Sequence, residues 1–204
     1  MCTGEDTPKL CRLLDLGWLR VSSVLVAIGD RSCVPAFVRA MGRGRMSWEF
    51  ARALQVLDDA RIDEALIQFL EAHGSGFPDG TSTLLDTVAE RGLKQVLPAL
   101  RRMRGSARKG RVNAVSNEVA LGRALAVLGD PSGIPLLIRH LDPPRQERWA
   151  GDRALQALDA VTGSAVRTPA KDRPALKAAY SAWWEANQGR LVWDPGMRRF
   201  KVED

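Results

Sequence analysis

Hydrophobic residues recur along this chain at three- and four-residue steps, in short runs that are broken by the same polar corner. Val21, Val24, Leu25 and Ile28 form one stripe; Leu121, Leu125 and Leu128 form another. Each stripe runs into a Gly-Asp pair, Gly29-Asp30 or Gly129-Asp130, and then into a second apolar run that contains proline. Those second runs read Val34-Pro35-Ala36-Phe37-Val38 and Ile134-Pro135-Leu136-Leu137-Ile138. The spacing predicts a helix that stops at glycine, where a left-handed C-terminal position is easily reached. The aspartate then offers an oxygen to the free N–H groups that open the next helix. Pro35, Pro131 and Pro135 fit only in a first turn, where no intrahelical N–H is needed. The second helix is thus placed to start near residue 132, with Ile134, Leu137, Ile138 and Leu141 on its inner face.

Two weaker copies lie between these. One reads Leu54-Gln55-Val56-Leu57-Asp58-Asp59 and then Ile62 to Leu70; the other reads Leu84 to Gly92 and then Leu93 to Leu100, without a Gly-Asp pair. The corners near Asp30, Asp59, Arg91 and Asp130 are about thirty residues apart except for the last gap, a period expected of stacked helix pairs. Each buried Leu or Ile contributes roughly 1.5–3 kcal/mol, but one pair cannot cover its own apolar face, so neighbours must do it. Leu10, Leu13, Leu14 and Trp18 predict a lead-in helix broken at Gly17. Arg153 to Thr162 predicts a further first helix, and a loop from Gly163 to Ala170 leads to a last helix from about Lys171 to Asn187. The tail, with short runs on either side of Asp194-Pro195-Gly196, predicts a small ribbon or an extended strap over that helix.

Residues 20 to 162, with Leu128-Gly129-Asp130 and the Pro-containing helix after it, resemble the phycobilisome-lyase type of HEAT-like repeat. Tyr180-Ser181-Ala182-Trp183-Trp184-Glu185-Ala186-Asn187 is similar to the Trp-Trp-x-x-Asn ending found after HEAT arrays in many bacterial proteins. The resemblance implies an all-α fold, an α-solenoid (α-α superhelix) of about five HEAT-like helix pairs with a short C-terminal extended or ribbon segment. It divides the chain into a cap over 1–17, an array over 18–162 with a basic insert near 101–117, and a capping helix and tail over 163–204. It implies little about activity, because such arrays serve scaffolds, adaptors, lyases and nucleic-acid enzymes.

Charge adds one feature. The 204 residues are 45% hydrophobic and 26% charged, as in globular proteins, and carry a net charge of +6. Arg101, Arg102, Arg104, Arg108, Lys109 and Arg111 put six cations into eleven residues with no acid among them. The remaining 24 basic and 24 acidic residues balance. The segment is either a solvated loop or an anion site that faces phosphate or an acidic partner. If all six met duplex phosphates, the log–log salt slope would be about −5.

Candidate chemistry is sparse. There is no phosphate-binding glycine loop, His-Glu-x-x-His or Gly-x-Ser-x-Gly. His73 and His140 both fall at helix ends and read as structural, as do the acid pairs Asp58 with Asp59, Asp63 with Glu64, and Asp142 near Glu147. Trp18, Trp48 and Trp149 sit near helix starts and read as staples for turns. Of Trp183 and Trp184, one is expected to close the core and the other to meet the tail or a partner. Cys2, Cys11 and Cys33 lack zinc-site spacing, and their odd number argues against a disulfide framework. No run of apolar residues is long enough to span a membrane. The expectation is a cytoplasmic, non-enzymatic scaffold or adaptor that binds another protein and needs no cofactor. Nucleic-acid binding through Arg101–Arg111 is the alternative, and a bilin-lyase-like or lyase-chaperone role, borrowed from the resemblance, is the third reading. Met1-Cys2-Thr3-Gly4-Glu5-Asp6-Thr7 also fits the polar start of a mature lipoprotein whose leader has been replaced, with Cys2 as lipid anchor in a periplasmic setting.

Overall fold

The structure, a computed structural model, describes residues 4–73, 80–106, 114–163, 166 and 172–203. These are mostly helical, with eleven α-helices and one two-stranded sheet among them. The chain divides into two compact units, Met1–Ser106 and Ala107–Asp204.

The first unit contains α1 (Thr7–Leu16), α2 (Val21–Ile28), α3 (Val34–Gly42), α4 (Trp48–Val56), α5 (Ala60–His73), α6 (Thr81–Glu90) and α7 (Leu97–Ser106). Each helix packs on the second helix after it. α1 meets α3, α3 meets α5 and α5 meets α7; α2 meets α4, and α4 meets α6. Two rows result, with the core between them. Phe37 of α3 stacks on Phe50 of α4 with ring centroids 5.2 Å apart, and Leu54, Leu66, Leu85 and Leu100 are fully buried.

The Gly-Asp corner forms as the sequence predicts, with one refinement. Gly29 adopts φ 73° and Gly129 φ 94°, and the aspartate after each accepts from the Ser32 or Ser132 N–H at 2.9 Å. What the aspartate opens is a short 3-10 turn, Arg31–Cys33 or Pro131–Gly133. The α-helix proper begins two residues later than expected, with Pro35 or Pro135 in its first turn. The weak third copy makes the same corner without an aspartate. Gly92 is left-handed, a 3-10 turn spans Lys94–Val96, and the Val96 N–H donates to the Leu93 carbonyl at 3.2 Å. The backbone closes this turn by itself, so the side-chain cap adds to it and is not a condition of it.

The α4–α5 corner has no glycine, and a side chain from elsewhere completes it. Arg91, which follows α6, donates to the Leu54 carbonyl at 3.0 Å and to the Leu57 carbonyl, and it pairs with Asp63 of α5. One guanidinium therefore satisfies the end of α4 and ties it to the start of α5. Asp59 caps α5, accepting from the Arg61 N–H at 3.0 Å. The Arg61 side chain on the same carboxylate holds Asp59 well below the usual carboxylate range, at about 2.

The second unit holds α8 (Ala114–Val127), α9 (Ile134–Arg139), α10 (Arg148–Thr162), α11 (Arg173–Asn187), β1 (Leu191–Asp194) and β2 (Arg199–Val202). α8 packs on α9 and α10, and α9 packs on α10 and α11. α8 and the corner after it approach closely at two glycines. A Cβ on Gly133 would lie 2.2 Å from the Gly122 carbonyl oxygen, and one on Gly122 would lie 3.1 Å from the Gly133 oxygen. The expected ribbon is an antiparallel hairpin in the register Leu191↔Val202 and Trp193↔Phe200. Asp194 fixes its turn by accepting from the Gly196 and Met197 N–H groups at 2.9 and 3.0 Å. Trp193 meets Phe200 edge-on at 4.9 Å and lies over Gly129, so the hairpin covers the glycine corner. Trp183 and Trp184 both pack, half-buried, against the core that contains Tyr180, Leu158 and Ile138.

Tyr180 is fully buried, and its hydroxyl donates to Asp159. Burial raises its phenol pKa above the ordinary value, and the Asp159 hydrogen bond adds to the shift. Below about pH 10 both folded and unfolded states hold the proton, and the contribution is complete. Above that, the unfolded chain ionises first, the native state binds more protons, and stability falls. In denaturation midpoints measured from pH 8 to 12, Tyr180→Phe should lose about 2 kcal/mol at neutral pH and show a flatter alkaline decline than the parent. The glycine corners predict a second ranking. Gly133→Ala meets backbone and should cost about 3 kcal/mol or more. Gly29→Ala has open space around it and should cost only about 1–2 kcal/mol, for its left-handed φ. Equal losses in urea titrations would contradict the close approach.

Candidate functional site

Two surfaces of the first unit carry exposed residues of functional type. One is the outer side of α7. Leu100 and Met103 point inward and are buried, which leaves Arg101, Arg102 and Arg104 exposed on the same helix. Arg102 Nη2 reaches the Glu71 carbonyl near the end of α5 at 3.5 Å, a long contact that lets the guanidinium face solvent. Arg104 lies in the last turn, where a cation suits the helix dipole. Arg108, Lys109 and Arg111, the rest of the predicted basic site, lie outside the described residues.

The other surface was not anticipated from the sequence. The α1–α2 connection brings Trp18, Leu19 and Arg20 opposite Ser47, Trp48 and Glu49 at the start of α4, around an open groove of about 540 Å³. Packing of α2 on α4 sets the two segments side by side. Ser47 caps α4 by accepting from the Phe50 N–H at 3.2 Å, which fixes Trp48 as the first helical residue. The inner face of α4 is Phe50, Ala51, Ala53 and Leu54, so Trp48 projects away from it. Trp18 is 65% exposed and Trp48 55% exposed, and Trp149 at the start of α10 is also exposed. The indoles expected to staple turns are thus largely in solvent: Trp48 and Trp149 sit off the buried stripes of α4 and α10, and Trp18 lies in the α1–α2 connection. Helical position, which was available in the sequence, was the signal that could have separated Trp48 from the core.

The histidines hold structure. His73 Nδ1 lies 3.0 Å from the Phe69 carbonyl, and its ring stacks on Phe69. His140 Nε2 donates to Glu118 at 2.7 Å, and Arg139 reaches the same carboxylate at 3.2 Å. This ties α9 to α8. Asp63 pairs with Arg91, as described above, and Asp15 accepts a bidentate pair from Arg39 at 2.8 and 3.0 Å. That pair lowers the Asp15 pKa. Among the described residues no three His, Cys, Asp or Glu side chains are placed to hold a metal ion, and no helix is long and apolar enough to cross a membrane.

Cys33 is buried at the first corner, and Cys11 is half-buried on α1. Burial, with Cys11 and Asp30 nearby, pushes the Cys33 thiol up to about 11. Thiolate is the reactive form, so this sulfur is inert in the folded state. Cys2 lies outside the described residues. Comparison with protein-family models, curated proteins and solved structures finds no match to this chain. An aromatic-disulfide reagent at pH 8 should modify Cys33 only when denaturant unfolds the first unit. Labelling of Cys33 at the rate of a free thiol, read by peptide mass mapping, would contradict its buried placement.

Proposed function

We propose that this protein is a non-enzymatic interaction scaffold, built of HEAT-like helix pairs, that holds another protein on its exposed helix faces. The alternating packing of helices supports the reading most directly. In the first unit α1, α3, α5 and α7 form one succession and α2, α4 and α6 another, and in the second unit α8 meets α10 while α9 meets α11. A helix that contacts the second helix after it belongs to a stack of pairs, in which each pair covers the apolar face of the next. Such a stack leaves outward faces for a partner, and α7 offers Arg101, Arg102 and Arg104 on one of them. The partner surface that fits this face is acidic.

The same three arginines support a second reading, binding of nucleic acid through phosphate. The two readings differ in salt response and in stoichiometry. A protein partner should co-purify at a fixed ratio and be weakened by an Arg101→Ala/Arg102→Ala/Arg104→Ala triple substitution, with no retention of duplex DNA at physiological salt. Phosphate binding by these three residues would instead give a log–log salt slope of roughly −3 for DNA, abolished in the triple variant. A defined partner retained equally by parent and triple variant would remove α7 from the interface. Turnover of a substrate by the purified chain would overturn the scaffold reading itself.

A further inference from the structure

We infer that the Trp18–Trp48 groove is a small-molecule site for a zwitterion, a quaternary ammonium that carries a tethered phosphate or carboxylate. The argument is independent of the scaffold reading and rests on what the groove contains. Two indoles line it and are more than half exposed, so their faces are not spent on the core. Among the described residues neither indole has a ring or cation partner. A bare aromatic face attracts a diffuse cation through the ring quadrupole, and tryptophan does so best.

The groove also holds one charge of each sign. Arg20 and Glu49 both line it, and among the described residues neither side chain is paired, with the other or with a third group. A simple cation would meet Arg20, and a simple anion would meet Glu49. A ligand with both charges satisfies both, with the ammonium toward the indoles and Glu49 and the anion toward Arg20. Its methyl groups suit tryptophan and Leu19 better than an ordinary ammonium would, because they shed water more readily. A volume of about 540 Å³ falls within the range of ligand pockets and exceeds what a phosphocholine group needs.

Titration of the full chain with phosphocholine, glycine betaine, choline and 3,3-dimethylbutyl phosphate, followed by tryptophan fluorescence and calorimetry, tests this. Phosphocholine or glycine betaine should bind and quench fluorescence. The dimethylbutyl compound, which has the same shape without the cation, should bind at least tenfold more weakly. Trp18→Ala and Trp48→Ala should each weaken binding about tenfold. Arg20→Ala should weaken binding of phosphocholine but not of choline, whereas Glu49→Gln should weaken both. Binding of phosphatidylcholine vesicles alone, lost in Trp18→Ala, would identify a lipid headgroup as the source of the same chemistry. No binding of any of these at 10 mM would overturn the proposal, as would equal affinity for the isostere that lacks the cation or indifference to both tryptophan substitutions. The comparison of ligands on the parent protein keeps the test valid even if a variant fails to fold.

Discussion

Short helices leave carbonyls without partners at one end and N–H groups without partners at the next, and this protein depends on how each corner satisfies them. With helices of eight to fifteen residues in most positions, corners make up a large share of the chain. An unmet buried backbone group costs as much as a lost hydrogen bond or more. Two solutions are found, the first of them repeated. The glycine corner turns the chain through a left-handed residue and a 3-10 turn, with proline in the helix that follows. The α4–α5 corner lacks glycine and uses Arg91, from outside its own hairpin, to take up the free carbonyls.

The two solutions tie local structure to packing in different ways. The glycine corner is a property of a few consecutive residues, and the third copy shows that it forms even with leucine where the aspartate stood. The arginine corner exists only once α6 has packed on α4, since Arg91 then reaches carbonyls 37 and 34 residues back in the chain. Formation of the second corner therefore follows from assembly of the row, and its side chain helps to hold that row in register. At the Gly122–Gly133 approach the reverse holds. There the absence of side chains lets α8 and the following turn come close enough for Leu125, Leu137 and Ile134 to fill the core.

The exposed arginines of α7 were legible, because a run of cations with no acids cannot be buried and has to face water or a partner. The tryptophan groove was not legible. Trp18 and Trp48 stand near helix starts, a position that suits a staple for a turn and does not by itself say how much of the ring meets solvent. The groove also needs two segments some thirty residues apart, which only the packing of α2 on α4 brings together. Arg91 escaped notice for a related reason, since its partners are backbone oxygens, which no residue type advertises.

The sequence alone determined the helical character, the inner faces, the glycine corners and the terminal ribbon. Each of these depends on interactions within a few residues: backbone sterics at glycine, the fixed φ of proline, and apolar residues at helical period. Only tertiary structure decided which side chains complete a distant helix end, where two glycines let backbones meet, and which tryptophans stay in solvent. Those outcomes depend on the position of one element against another, which local spacing does not encode.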